Sequence, residues 1–381
     1  MKKMYWRPRR VSRTVLLLIS VASVAGYAGV ESWKRKIQEP WHQEKLAASR
    51  LAESAFKVIR AERLRRGLPI DAEADPAGSG LVGSLMTPTT SNPGSLASKQ
   101  TSVNPNFAAV MVHFYKKAGV REGDVVAIGY SGSFPAINVA VLAATETLKL
   151  RPIIIASASS SQWGANDPEL AWLDMEQLLF DNKLISVRSV AASLGGIEDR
   201  GLGMPRRGRT ALEQSIQRAN LPMIDPVSFD ESVIERMRLY REKAGGEPIM
   251  AYVNVGGGTI SVGKKAGKLS FKPGLNLEPP GPMGGQDSVM SRFVDEGVPV
   301  IHWIKINELA NRFGLAVQPR SLPSVGEGKI YFREDYDRRI AALLLFGILA
   351  SLYLFVRSDL GFRMTRGAGK RGEGGHPEPM I

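Results

Sequence analysis

The stretch that decides the fold is Asp124–Ala156, DVVAIGYSGSFPAINVAVLAATETLKLRPIIIA. Asp124 to Gly129 is a short apolar run rich in valine and isoleucine, which predicts a buried strand. Pro135 to Lys149 is Ala-rich and opens on a proline, as helices do, and Pro152 to Ala156 is a second buried strand. Strand, Gly-rich loop, helix and strand in so short a span form a βαβ unit, which implies a parallel sheet with a right-handed crossover.

The same alternation continues on both sides. Upstream, Asn106 to Ala118 has helical periodicity, with Asn104 and Pro105 as start signals and Gly119 as the stop. Downstream, helices are expected around Glu169–Asn182, Thr210–Ala219, Asp230–Lys243 and Asp287–Glu296. Strands are expected around Ser186–Ala191, Ile249–Val255 and Val298–Trp303. The fold class is therefore α/β, a layered and mostly parallel sheet built from Rossmann-like βαβ units.

Ligands of such sheets sit beyond the carboxyl ends of the strands. The loop at that place is Gly129-Tyr130-Ser131-Gly132-Ser133-Phe134-Pro135. Its glycines permit close backbone approach, while Ser131 and Ser133 precede a helix whose free N–H groups favour an anion. The spacing also approaches the G-x-S-x-G nucleophile elbow, with Ser133 in place of the last glycine. Ser131 would then be the nucleophile and His302 its base, with Asp167, Asp174, Asp225 or Asp287 as the third member and Lys99 as an alternative base. A Gly/Ser loop that serves only packing, and a core histidine between Ile301 and Trp303, explain the same residues without chemistry.

Three other stretches hold ligand candidates. Asn254 and Gly256, Gly257 and Gly258 form a second strand-end loop that would face the Ser131 loop across one cleft. Arg206 and Arg207 lie in a Gly/Pro-rich basic loop suited to an anion or simply to solvent. Trp163, Asn166 and Asp167 read either as a sugar or amino-acid pocket or as a helix start with Asp167 as N-cap and Pro168 in the first turn. The stretch Gly258–Lys265 mimics a phosphate-binding loop, but Lys265 stands where a magnesium-binding hydroxyl belongs, and Thr259–Val262 and Lys268–Phe271 alternate like a hairpin. No metal-ligand spacing occurs, and the chain has no cysteine, so neither a metal site nor a cofactor is expected.

Two apolar runs bracket this core, Thr14–Val30 and Ile340–Val356, each of 17 residues without a formal charge. Both read as transmembrane helices, with basic flanks holding both termini in the cytoplasm; the competing readings are a cleaved signal core for the first and a buried core helix for the second. The net charge of +13 is mostly this flanking signal. Six basic residues and no acid precede Thr14, and the tail from Arg357 has five basic and three acidic residues, which leaves +5 for the rest. That distribution speaks for a lipid bilayer as a contact and against nucleic acid.

The resulting organisation is a basic leader (1–13), a transmembrane helix (14–30), an amphipathic stalk helix (31–66, with its helical stretch at Trp41–Arg66 after Pro40), a Gly/Pro/Ser/Thr-rich loop (67–106), an extracytoplasmic α/β domain (107–339), a second transmembrane helix (340–356) and a basic tail (357–381).

The block TSVNPNFAAVMVHFYKKAGV, the loop GYSGSFPAINVAVLAA, the stretch SSSQWGANDPELAWLDME, the NVGGG turn and the two terminal apolar runs together resemble the poly-γ-glutamate system protein family. The resemblance implies a membrane-bound apparatus that makes or exports poly-γ-glutamate, with the polymer and the membrane subunits of that system as partners. It carries over no catalytic residue. With no cytoplasmic nucleotide site, the chain is expected to be an accessory subunit at the cytoplasmic (inner) membrane, binding polymer or partners on the outer side. The alternative is an envelope serine hydrolase or transferase acting on γ-glutamyl or wall amide bonds.

Overall fold

A computed structural model describes residues 13–263, 270–279 and 287–357. The basic leader before Arg13, the tail beyond Arg357 and the Lys264–Gly267 turn of the expected hairpin lie outside the described residues. Contacts divide the chain into two units, Gln38–Tyr331 and the paired ends Met1–Ile37 with Phe332–Ile381.

The larger unit is built on seven strands: β1 (Val125–Ser131), β2 (Arg151–Ser157), β3 (Ala191–Ser193), β4 (Met223–Ile224), β5 (Ile249–Val255), β6 (Gly274–Asn276) and β7 (Val300–Trp303). Their order across the sheet is β6-β7-β5-β1-β2-β3-β4. Neighbours run parallel except β6, which is antiparallel to β7. The expected parallel α/β sheet is thus present, with an antiparallel edge strand that the sequence reading had not placed.

Ten helices complete the described part of this unit: α1 (His42–Arg65), α2 (Leu96–Ser102), α3 (Phe107–Lys117), α4 (Pro135–Thr147), α5 (Trp172–Asp181), α6 (Arg206–Arg218), α7 (Phe229–Ala244), α8 (Thr259–Val262), α9 (Val289–Asp295) and α10 (Ile306–Phe313). Strand residues point alternately to the two faces of a sheet. On β1, Val125 and Ala127 join Ile153, Ile155, Tyr252 and Val300 in a core closed by Val233, Met237 and Tyr240 of α7 and by Met290 and Phe293 of α9. The alternate residues Val126, Ile128 and Ile154 are equally buried but lie outside that core, so they face the opposite layer, where α1 packs on α3, α4 and α5. Burial on both faces explains why β1 and β2 read as continuous apolar runs.

Four expectations change. In the stalk segment the helix runs His42–Arg65, in line with the stretch Trp41–Arg66 after Pro40, but the residues before it are not helical throughout: Arg35–Gln38 is a short strand paired with Phe332–Asp335. The helix packs on α3 and α4 as part of the larger unit. The stretch 67–106 is not plain loop: Thr90–Asn92 pairs with Ser160–Ser161, and α2 follows, capped by Ser95 accepting from the Ser98 amide. The strand expected at Ser186–Ala191 starts where that estimate ends, at Ala191. Thr259–Val262 is one helical turn after Gly258 rather than the first arm of a hairpin, and its Ile260 and Val262 are buried in the core, which alternation alone did not distinguish from a strand.

In the smaller unit, helices Arg13–Ser32 and Arg338–Arg357 form where the apolar runs stand. Gly26 lets the Leu344 side chain approach so closely that a Cβ would overlap it. Tyr336 donates to Glu31 Oε2 at 2.8 Å, and Arg35 pairs with Asp337 at 2.7 Å. Large apolar side chains face outward, among them Val24 (69 % exposed), Leu343 (72 %) and Phe346 (71 %). Among the described residues no helix is long and apolar enough to cross a membrane. Seventeen uncharged residues are at the lower limit for a hydrocarbon core about 30 Å thick.

Candidate functional site

Strand β1 lies between β2 and β5, and the chain winds outward from it in both directions. This is the topological switch point, where the loops leaving two adjacent strands diverge and open a crevice. The loops are Ser131–Phe134 after β1 and Gly256–Gly258 after β5, so the two glycine-rich stretches do share one cleft. A Cβ on Gly256, whose φ of +98° no other residue adopts readily, would stand 3.8 Å from Ser131 Oγ.

The cleft is a cavity of about 450 Å³. Its lining is dominated by hydroxyls, including Ser91, Ser95, Ser131, Ser133, Ser159 and Ser161, with Gly257, Gly258, Lys99, Asp199 and Arg236. Ser131 ends β1 and Ser133 follows it, Ser159 and Ser161 come after β2, and Ser91 and Ser95 come from the stretch that leads into α2; space at Gly257 and Gly258 is open beyond their Cα atoms. Among the described residues the amides of these two glycines make no hydrogen bond, so they can donate to a ligand.

Lys99 is the unusual group. It is 2 % exposed, reaches from α2, donates to the Ser133 carbonyl and lies 2.9 Å from Ser161 Oγ. Its ammonium sits 3.8 Å from the centroid of the Phe134 ring. No carboxylate pairs with it among the described residues, and burial pushes its pKa down to about 7. On another wall, Asp199 and Arg236 form a buried pair at 2.7 Å, joined by Ser193 (2.6 Å to Asp199 Oδ1) and Ser232 (2.7 Å to Oδ2). Burial raises the Asp199 pKa, but the Arg236 charge and the two serine hydrogen bonds outweigh it and leave the carboxyl below its ordinary value. These two charges therefore cancel, and Lys99 is the uncompensated one.

The expected Ser131–His302 arrangement does not assemble. His302 stands on β7, in register with Asn254 of β5, which in turn faces Gly129 of β1. Two interstrand steps of about 4.8 Å separate the histidine from the β1 loop, beyond any hydrogen bond. His302 is fully buried, with Nδ1 3.0 Å from Asn254 Nδ2, and burial lowers its pKa to about 4, against the opposing effect of the Asn254 bond. Ser131 Oγ instead accepts from the Ser133 amide at 3.3 Å. Asp174 pairs with Arg218, and Asp287 with Arg292, so neither is available to orient a histidine.

The remaining ligand candidates divide. Ser131, Ser133, Gly257 and Gly258 line the cavity. Gly129 and Gly132 do not; a Cβ on Gly129 would overlap the Tyr252 hydroxyl, and one on Gly132 would stand 3.1 Å from Ser160 Cβ, so both serve packing. Asn254 holds the glycine turn by donating to the Gly256 carbonyl at 2.7 Å. Asn166 is fully buried and ties the 67–106 stretch down, accepting from the Ser84 amide (3.0 Å) and donating to Thr90 Oγ1 (2.9 Å). Asp167 accepts from the Glu169 amide in a short hairpin and caps no helix; α5 starts later, at Trp172. Arg206 and Arg207 open α6, and Arg207 lines a second cavity of about 460 Å³ that shares Ser91, Asn92 and Pro93 with the first.

Lys99, Ser161, Asp199 and Arg236 were missed as a group. The sequence offers Lys99 only as a base for Ser131, and no spacing links it to Ser161 or to the Asp199–Arg236 pair, because the four residues come from separate stretches that meet only in the fold. No protein-family model, curated protein or solved structure matches the chain.

Proposed function

We propose that this chain is a membrane-anchored accessory subunit of a poly-γ-glutamate synthesis or export system, whose α/β unit binds the γ-glutamyl chain on the outer side of the membrane. The observation that carries the reading is the pair of adjoining cavities at the switch point. They share the Ser91–Pro93 wall, offer hydroxyl and open backbone N–H donors, and have one basic side chain each without a cavity carboxylate bound to it, Lys99 and Arg207. Donors repeated along a groove suit a linear polyanion with a carboxylate on every residue. The sequence resemblance and the outward apolar faces of the two terminal helices support the rest of the proposal, including partner subunits within the bilayer and a place at the cytoplasmic membrane.

Titration of the full chain in detergent with γ-linked and α-linked glutamyl oligomers tests it. The expected result is affinity that grows with oligomer length, favours the γ-linkage and weakens at high salt, since paired exposed charges are screened. Arg207→Gln is expected to weaken long oligomers several-fold and to leave short ones unchanged. Affinity independent of salt and length overturns the proposal.

A further inference from the structure

We infer that Ser161 and Lys99 form a nucleophile–base pair that cleaves or transfers amide bonds of a chain held in the cavity. The pair has the geometry such chemistry needs: Lys99 Nζ lies 2.9 Å from Ser161 Oγ, and both line the cavity. Each partner is fixed from behind. The Ser161 amide donates to Ser133 Oγ at 3.1 Å, Ser160–Ser161 is paired with the Thr90–Asn92 strand, and Lys99 is held by the Ser133 carbonyl and the Phe134 ring. A hydroxyl alone is a poor nucleophile at neutral pH, and a lysine desolvated in this way supplies the base that His302 does not. The same burial without a carboxylate partner that makes Lys99 a costly structural residue makes it a serviceable proton acceptor.

The step balances as follows. Neutral Lys99 takes the Ser161 hydroxyl proton as Oγ bonds to the amide carbonyl carbon, whose oxygen gains the negative charge. Collapse of that intermediate breaks the C–N bond, and the Lys99 proton leaves with the amine, giving an ester on Ser161. Water, or the amine of an acceptor chain, attacks the ester, passes its proton through Lys99 and restores the Ser161 hydroxyl. The open amides of Gly257 and Gly258 in the same cavity are donors for the carbonyl oxygen. The γ-glutamyl nature of the amide rests on the function proposed above, whereas the chemistry of the pair does not.

The charged groups around Lys99 are few. Asp199 and Arg236 in the cavity pair with each other, as do Glu308 and Arg312 (3.1 Å) on α10, the helix packed against α2. The pH profile of the reaction therefore reports on Lys99 itself.

The test uses the full chain in detergent with a fluorophosphonate probe, read by intact mass and peptide mapping, and with γ-glutamyl-p-nitroanilide. The expected result is one adduct, on Ser161, whose rate rises through a midpoint near pH 7, together with p-nitroaniline release. Ser161→Ala, shown folded by circular dichroism, loses both; Lys99→Arg slows both by about 100-fold or more. If Lys99→Arg does not fold, the wild-type pH profile carries the same information. An adduct on Ser131, or neither adduct nor release, overturns the pair. Binding of γ-glutamyl chains without either signal leaves the proposed function standing, and an adduct without such binding overturns that function alone.

Discussion

His302 shows how one side chain changes meaning with its surroundings. As the last histidine of a Ser–Asp–His order it resembled a base, but Asn254 on the neighbouring strand takes its Nδ1, and its Nε2 has no partner among the described residues. Burial holds it neutral, with a pKa of about 4, and His113 on α3 is likewise pushed down to about 4 by burial, assisted by Lys45 and Lys117. A histidine whose folded pKa is lowered contributes stability above its unfolded value, near 6.5, and loses it as pH falls through the folded one. Urea titrations are therefore expected to show stability falling between pH 6.5 and 4. His302→Gln should remove from that slope a component on the order of 3 kcal/mol. An unchanged slope in the variant would mean that His302 carries no such penalty.

The segment from Gly195 to Gly203 is held to helix α7 by the Asp199–Arg236 pair, and both partners are less than a tenth exposed. Removing one partner strands the other charge away from water, so Asp199→Asn is expected to cost about 3–5 kcal/mol, measured as a lower urea midpoint. The double variant Asp199→Asn, Arg236→Met should recover much of that loss, because two apolar or neutral groups require no mutual compensation. A loss in the double variant as large as in the single one would assign the cost to packing instead.

How much of these elements can be read from sequence follows from what each one depends on. Strands β1, β2 and β5 were legible because burial on both faces gives unbroken apolar runs, and Pro135 marks the start of α4. Helix α2 was not, because SLASKQTS is held by partners distant in sequence, Ser133 and Ser161, and the composition around it is that of a loop. The cleft between the Ser131 and Gly256 loops was legible from the strand-end rule, while the Lys99–Ser161 contact crosses from one irregular stretch to another and leaves no periodic trace. The Asp167 cap was misread for the same reason: a two-residue strand, Asn166–Asp167, has no signature of its own.

For the whole molecule, the outward apolar faces of Arg13–Ser32 and Arg338–Arg357 set the expectation. Apolar surface contiguous over two helices is unfavourable in water at roughly 25 cal/mol per Å². The full chain is expected to float with phospholipid vesicles in a density gradient and to resist extraction by alkaline carbonate, while a chain trimmed to Gln38–Tyr331 stays at the bottom. Recovery of the full chain in the unbound fraction would remove the anchoring part of the proposed function.

The strand order also has a consequence for synthesis. The central strand β1 is complete at Ser131, yet the neighbour that seals its second edge, β5, begins only at Ile249. While the intervening residues leave the ribosome, that edge of a half-formed sheet stands ready to pair with any passing extended segment. Premature termination before Ile249 would yield not a weaker protein but a sticky one, and holding nascent chains apart until that strand arrives becomes a requirement of its biogenesis.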